Sequence, residues 1–406
     1  MRTRYLKDKN GKFSIKAVVY EQQDHLIPAA LIDIDARKIC ARLKSQGYEA
    51  YIVGGAVRDL LLGYTPKDFD IATSASPNRV KKLFRNSRII GKRFRLVHVY
   101  FRNGKILEVA TFRASESTNH NHVYGSLSED VNRRDFSLNA LYYSPDDETI
   151  IDFVGGVRDI KKGIIRSVLP LKSSFREDPV RMLRAVKYSA MRNMKMTLPL
   201  SRQIKKQSYL LSSASVSRLS EELNKILSSR SSAAILRMMS RYGLLEQMLP
   251  EISRVDKDLL GKVFRRLSVL DEKMLNAGVG KGEMLKSLTE VILEEQGILN
   301  PDNGIRPAFM EVEKAVKALL KPLTQPNKDV EAAVKLIFSE RGWSLPRKRP
   351  PRHPEVRMSE LERDNAVSVK KRKRRRKKSA EKTAALKISD TSNKTGENIE
   401  KNNMES

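Results

Sequence analysis

A short apolar run, Ala50 to Val53, ends in Gly54-Gly55 and runs straight into Ala56-Val57-Arg58-Asp59. Asp68-Phe69-Asp70 follows thirteen residues after the second glycine. A strand that stops at two glycines and feeds a helix lets backbone N–H groups come close to an anion, and the helix start adds favourable polarity. Arg58, one turn in, can reach the same anion, although a Gly-Gly turn with no ligand would read the same in isolation. On a strand, residues i and i+2 face one side, so Asp68 and Asp70 project together while Phe69 points to the core. Paired carboxylates repel one another, and a divalent cation relieves that repulsion. Mg²⁺ suits such a pair, because it binds through one or two carboxylates plus substrate phosphates. The segment is not a P-loop, since no Gly-Lys-Ser/Thr follows, and it lacks the dinucleotide fingerprint.

Charge narrows the class of partner. The chain of 406 residues has 78 Lys and Arg against 48 Asp and Glu, a net charge of +30. The segment 346–406 holds 19 basic and 9 acidic residues, so the first 345 residues are themselves basic, at 59 against 39. A polyanion is the expected partner, because each phosphate neutralised releases counterions. No apolar run reaches the ~20 residues that span a bilayer, and no lipidation motif stands out. A single cysteine, Cys40, excludes a disulfide framework within the chain and a multi-cysteine zinc site. A cytoplasmic protein without a membrane partner is expected, and a monomer.

Length implies more than one compact unit. Residues 1–27 read as a polar, loosely ordered arm. Ile32, Ala36, Ile39, Cys40 and Leu43 predict a helix that stops at Gly47. Further strands are expected at 50–53, 69–73, 96–101, 106–112, 141–143 and 150–153, with helices after Gly55 and from Ser76-Pro77. Asn103-Gly104 predicts a two-residue hairpin turn. The polar stretch 114–132 reads as a loop. Residues 28–170 are thus an α/β unit with a small mixed sheet. From 171 to 340 the apolar period is helical throughout. Beyond 341 the chain is Pro/Arg-rich and contains nine consecutive basic residues, Lys370 to Lys378, which predicts a disordered basic tail.

Other constellations add chemistry. Glu108, on the second strand of the hairpin, and Asp135, in Arg133-Arg134-Asp135-Phe136-Ser137-Leu138-Asn139, are rival third carboxylates. Arg133, Arg134 and Asn139 beside Asp135 make a clamp for triphosphate and ribose, unless they form only a local ion pair. In Glu177-Asp178-Pro179-Val180-Arg181-Met182-Leu183-Arg184, Pro179 suits the first position of a helix and Asp178 its cap. Arg181 and Arg184 share a face with Asp178 and can meet the edge of a nucleobase. His120-Asn121-His122 lacks a further ligand at metal-site spacing. His98 reads as a core histidine. Trp343 and the tyrosines show no pattern that marks a stacking surface.

In their order, these motifs resemble the class II nucleotidyltransferases, the family of bacterial poly(A) polymerase and the CCA-adding tRNA nucleotidyltransferases. The resemblance covers roughly 50–190 and includes Val154-Gly155-Gly156-Val157-Arg158-Asp159. Ile89 to Val99, Glu108-Val109-Ala110-Thr111-Phe112-Arg113 and the basic tail are most similar to the poly(A) polymerase branch. The resemblance implies a nucleotidyltransferase head at 28–170, a base-recognising neck at 171–230 and an RNA-binding helical body at 231–340. It implies that Asp68 and Asp70 hold two Mg²⁺ ions, that Asp135 is catalytic and that Glu108 is a candidate metal ligand. Gly54, Gly55, Arg58, Arg134 and Asn139 would contact the triphosphate or sugar of ATP. Glu177, Asp178, Arg181 and Arg184 would read the base. The expected reaction is adenylyl transfer from ATP to RNA 3′ ends with release of pyrophosphate. CCA addition to tRNA is one alternative, and a catalytically inactive RNA-binding protein on the same scaffold is another.

Overall fold

The computed structural model describes residues 2–7, 13–91, 95–102, 104–114, 124–302 and 304–344. The expected basic tail, the His120 and His122 pair and Asn103 lie outside them. The head is built on nine strands: β1 (Arg2–Lys7), β2 (Phe13–Tyr20), β3 (Ala50–Val53), β4 (Asp70–Thr73), β5 (Ser87–Ile90), β6 (Leu96–Tyr100), β7 (Ile106–Thr111), β8 (Leu141–Ser144) and β9 (Thr149–Asp152). Their order across the sheet is β1-β2-β9-β8-β3-β4-β7-β6-β5. All neighbours are antiparallel except β4 and β7, which run parallel with Ile71 opposite Val109. That mixed sheet with flanking helices is the expected head, and its inner strands fall where alternation and apolar runs put them.

Three differences have physical reasons. The segment read as a loose arm contributes β1 and β2, which extend the sheet through pairing with β9. The segment 114–132 contains a helix, Leu127–Val131, closed at its start by a Ser126–Glu129 capping box. Tyr100 pairs with Ile106, and the Phe101 N–H donates to the Lys105 carbonyl, so more than two residues separate β6 from β7. The expected two-residue turn is therefore replaced by a longer connection, in which Gly104 adopts a φ of +76°.

The centre of the head is aromatic. Tyr51, Phe112 and Tyr142 are buried together with Val53, Ala72 and Ile151. Tyr51 and Tyr142 meet edge to face at 6.1 Å. A second Gly-Gly turn follows β9. There the Asp152 carboxylate accepts the N–H groups of Val154, Gly155, Gly156 and Val157 at 2.8–3.0 Å and so fills the start of helix Gly156–Lys161. Any Cβ at Gly156 would fall 2.2 Å from the Ser137 carbonyl, which fixes glycine there.

Among the described residues from 171 to 344 the chain is helical, apart from Lys195–Met196, which pairs in parallel with Ile164–Ile165, and the connecting turns. The helix Val180–Arg192 packs against helix Ser232–Arg241, which in turn packs on Lys257–Asn276, and that on Lys281–Glu295. Buried Asp271 caps the start of Ser232–Arg241 by accepting the N–H groups of Ser232 and Ala233. Among the described residues no helix is long and apolar enough to cross a membrane.

Asp152 leaves a test of the head. It is 2 % exposed and satisfies four backbone donors. Asp152→Ala is expected to destabilise the head by ~3 kcal/mol, the scale of orphaning several buried donors. Urea denaturation should show a lower midpoint with an unchanged slope.

Candidate active site

A cavity of about 780 Å³ opens where the head meets the helical part. Its wall includes Gly54, Gly55, Asp70, Glu108, Arg134, Asp135, Asn139, Glu177, Asp178, Arg181 and Arg184. The structure thus gathers eleven of the thirteen sequence-predicted site residues around one space. Arg58 and Asp68 do not line it.

Each placement has a local cause. β3 ends at Val53, and Gly54 then takes φ +69° and ψ −125°, a conformation that suits glycine. No side chain caps the helix Gly55–Leu61 that follows. Arg58 lies behind the wall, 8 % exposed. It donates to Asn139 Oδ1 at 2.8 Å and to Asp59, and its guanidinium lies 4.7 Å from the Tyr188 ring centre. Arg58 therefore orients Asn139 and Tyr188, both of which face the cavity.

Asp70 opens β4, and Glu108 occupies the neighbouring position on β7, as the Ile71–Val109 register requires. Phe69 is buried while Asp68 and Asp70 are exposed, so the two acids alternate with a core residue as expected. Asp68 stands just before the strand, yet its charge reaches Asp70. Although open to the cavity, the Asp70 carboxyl is pushed up to about 6. Loss of bulk water in the concave wall is the main cause; Glu108 and then Asp68 add repulsion, and Arg134 opposes them.

Four of the other acids on the wall each meet an arginine. Asp130 pairs with Arg134 at 2.9 Å, Glu177 with Arg181 at 2.8 Å, Asp178 with Arg218 at 2.9 Å, and Asp135 with Arg184 at 3.5 Å. Among the described residues Asp70 has no arginine partner, and Glu108 meets only His98, at 3.2 Å. The cavity is thus polarised, with carboxylates that lack an arginine at one side and guanidinium groups around the rest. An all-oxygen pair whose charge is disfavoured fits Mg²⁺ bound through carboxylates and completed by substrate phosphates. Among the described residues no three metal-ligating side chains are already gathered.

Several contributors have no local signature in the sequence. Asp130 accepts from Arg134 and, at 2.6 Å, from the Tyr142 hydroxyl. Arg134 Nε donates to the Tyr142 oxygen at 3.3 Å. Burial alone works against the Arg134 charge, but Tyr142 and Asp130 hold its pKa above the ordinary value. Arg218 comes from helix Val216–Leu227, forty residues beyond its partner Asp178. Pro179 takes the cap position of helix Val180–Arg192 in place of Asp178, and Asp178, one residue earlier, accepts the Val180 N–H at 3.2 Å. Arg184, on the same face, reaches Asp135 at 3.5 Å.

One face of helix Val180–Arg192 organises this wall. Arg181, Arg184 and Tyr188 line the cavity. Arg192, one turn on, donates to Asp59 at 3.0 Å and stacks 3.9 Å from the Tyr64 ring centre. The stripe of residues 181, 184, 188 and 192 follows the helical repeat. It joins the base of the helical part to the helix that starts at Gly55.

An α/β head whose open glycine turn and paired carboxylates share one cavity defines a nucleotidyltransferase architecture. Residues 50–166 match the family described as "Poly A polymerase head domain", and residues 193–255 match "Probable RNA and SrmB- binding site of polymerase A". The chain is similar to poly(A) polymerase I of Salmonella typhi, 42 % identical over 252 residues, 58 % of this chain and 54 % of that protein. It is 36 % identical over 249 residues to the CCA-adding enzyme of Bacillus velezensis, covering 59 % of this chain and 62 % of that one. Among solved structures, the Bacillus stearothermophilus CCA-adding enzyme in complex with CTP aligns with a TM-score of 0.51 and 29 % identity, over 75 % of this chain and 82 % of that one. Over its head and the start of its helical part, the chain is similar to the poly(A) polymerases and the CCA-adding enzymes. It spans about half the length of the poly(A) polymerases it matches.

The Asp178–Arg218 pair gives a pH test. Burial raises the Asp178 pKa, but Arg218, followed by Arg184 and Arg181, brings it below the ordinary value. A depressed folded-state pKa contributes stability that is present above the unfolded value, near 4, and is lost as pH falls through the folded value. Arg218 is half exposed, so the pair is worth less than ~1 kcal/mol. Arg218→Ala should therefore be slightly less stable than wild type at neutral pH. Denaturation curves taken at descending pH should show the difference vanish below the ordinary aspartate range.

Proposed function

We propose that this chain transfers adenylyl groups from ATP to the 3′ ends of RNA and releases pyrophosphate. The observation that carries the reading is the polarised cavity. Asp70 and Glu108 stand side by side without arginines, opposite Arg134 and the uncapped Gly54-Gly55 turn. The greater identity to the poly(A) polymerases supports adenylate as the added unit.

In this reading Asp68, Asp70 and Glu108 would hold Mg²⁺, which would supply activation of the RNA hydroxyl and neutralisation of charge on the pyrophosphate. The protein's own groups do the positioning. Gly54 and Gly55 admit the triphosphate close to the backbone, and Arg134 neutralises it. Asn139, held by Arg58 and by Asp135 Oδ1 at 3.1 Å, faces the sugar. Glu177, Asp178, Arg181 and Arg184 meet the base, with Asp178 fixed by Arg218. Preorganised charges of this kind act without reorganising during the reaction.

The two candidate third carboxylates differ in surroundings. Asp135 already accepts the Phe136 N–H at 2.8 Å, the Asn139 amide and Arg184. Glu108 adjoins Asp70 and contributes more to its pKa than Asp68 does. Glu108 is therefore assigned to the metal and Asp135 to substrate orientation.

CCA addition is the second reading, favoured by the likeness to the CCA-adding enzymes. RNA extension with ATP alone, against CTP plus ATP, separates the two. Long adenylate tails support the proposal, and a short addition that needs CTP overturns it. Asp70→Ala and Glu108→Ala are each expected to lower kcat by at least ~10³-fold, the scale of losing a charge-stabilising group in the transition state. Both variants should still bind RNA in a filter assay. Near-normal turnover in Glu108→Ala would return the third place to Asp135.

A further inference from the structure

The side chains of β5, β6 and β7 divide into two faces. Val97, Val99, Leu107 and Val109 are buried, and helix Pro77–Leu83 packs against these three strands. The alternate residues point the other way. They are Arg88 on β5, His98 and Tyr100 on β6, and Ile106 and Glu108 on β7. Arg88, Ile106 and Glu108 are exposed, while His98 and Tyr100 are half-buried.

The register aligns this open face with the cavity. Arg88 is opposite His98, and His98 is opposite Glu108. The parallel pairing then brings Asp70 beside Glu108. One row of side chains therefore runs from the sheet edge to the carboxylates that lack an arginine, ordered Arg88, His98, Glu108, Asp70. Leu96 and Glu108 belong both to this face and to the cavity wall, so the two surfaces are continuous. Next to the row, the rings of His98 and Tyr100 stand 6.4 Å apart at 65°. Arg88 has no ion-pair or hydrogen-bond partner among the described residues.

We propose that this face, with Arg88, His98 and Tyr100, is the platform on which the last nucleotides of a single-stranded RNA lie as its 3′ end enters the cavity. The inference rests on the functional reading above and adds the route of the acceptor strand. Aromatic rings and an arginine on an open sheet face are the groups that hold unpaired bases and phosphates without reading sequence. A duplex would not offer its bases to the rings, so single strands are preferred. Charge complementarity and continuity with the cavity both point to RNA, whereas an apolar protein partner would leave Arg88 unmatched.

The test uses the full chain and a short oligoadenylate of about six nucleotides, near the lower range of single-strand site sizes. A 2-aminopurine at the penultimate position reports stacking by loss of fluorescence. Wild type should bind the probe and quench it. Tyr100→Ala should weaken binding about ten-fold, the scale of one lost base–aromatic stack, and abolish most of the quench. Tyr100→Phe should retain both. Arg88→Ala should weaken binding and flatten its salt dependence while ATP affinity stays at the wild-type value. Wild-type affinity and quench in both Tyr100→Ala and Arg88→Ala would overturn the platform. So would equal loss in Tyr100→Phe, or a parallel loss of ATP binding that marks a purely structural role. If wild type extends no RNA with ATP, the functional reading itself fails. If wild type extends RNA and the variants match it, the platform alone fails.

Discussion

The parallel pairing of β4 with β7 is the constraint on which the site depends. Parallel neighbours cannot be joined by a tight turn and need a crossover. Here the crossover is long enough to hold helix Pro77–Leu83 and the strands β5 and β6. Its length has two effects. It sets Ile71 against Val109, which leaves Asp70 and Glu108 as neighbours at the open end of the sheet. It also adds two strands beyond β7, whose outer face continues from those carboxylates to the edge. An antiparallel β4–β7 pair would place different residues at that end and separate the acids.

The two Gly-Gly turns show how similar sequence reaches different ends. Val53-Gly54-Gly55 and Val154-Gly155-Gly156 both follow a strand and open a short helix. At the second, Asp152 occupies the N–H groups, so that helix start is satisfied internally. At the first, no side chain does so, and Arg134 stands across from it: a Cβ on Gly54 would lie 3.8 Å from Arg134 Nη1. Arg134 is itself anchored through Nε and Nη2 by Tyr142 and Asp130. What distinguishes an open turn from a filled one is therefore a neighbouring carboxylate, which the glycine motif does not contain.

That contrast explains how much was legible in the sequence. Ala50–Val53, the helix after Gly55 and the Ser76-Pro77 helix start are local effects, and each appears where its residues put it. Gly54, Asp70, Asp135 and Arg181 belong to ordered motifs, and they converge on one cavity. The polar β1 was hidden because an edge strand needs little apolar surface. β2 was signalled, since Phe13-Ser14-Ile15-Lys16-Ala17 alternates, but a polar neighbourhood masked it. Arg218 and Asp130 carry no local mark. Their roles arise from pairing with Asp178 and with Tyr142, which only the folded chain brings near. Arg58 was read as a ligand contact because it sits one turn from the glycines; its burial and its bond to Asn139 turn it inward.

The helix Val180–Arg192 carries the last step of this reasoning. Its half-buried stripe of residues 181, 184 and 188 lines the cavity opposite the sheet. Arg181 and Arg184 stand at one end, Tyr188 covers Arg58 in the middle, and Arg192 grips Asp59 at the other. Arg58 and Arg192 share the same Asp59 oxygen, so the glycine-headed helix and helix Val180–Arg192 are tied through a single carboxylate. Because charge-assisted contacts of this kind have strict geometry, the two elements resist sliding independently. The distance between the end of the cavity that would meet a base and the end that would meet phosphates is then set by one rigid helix. A flexible loop would not fix it.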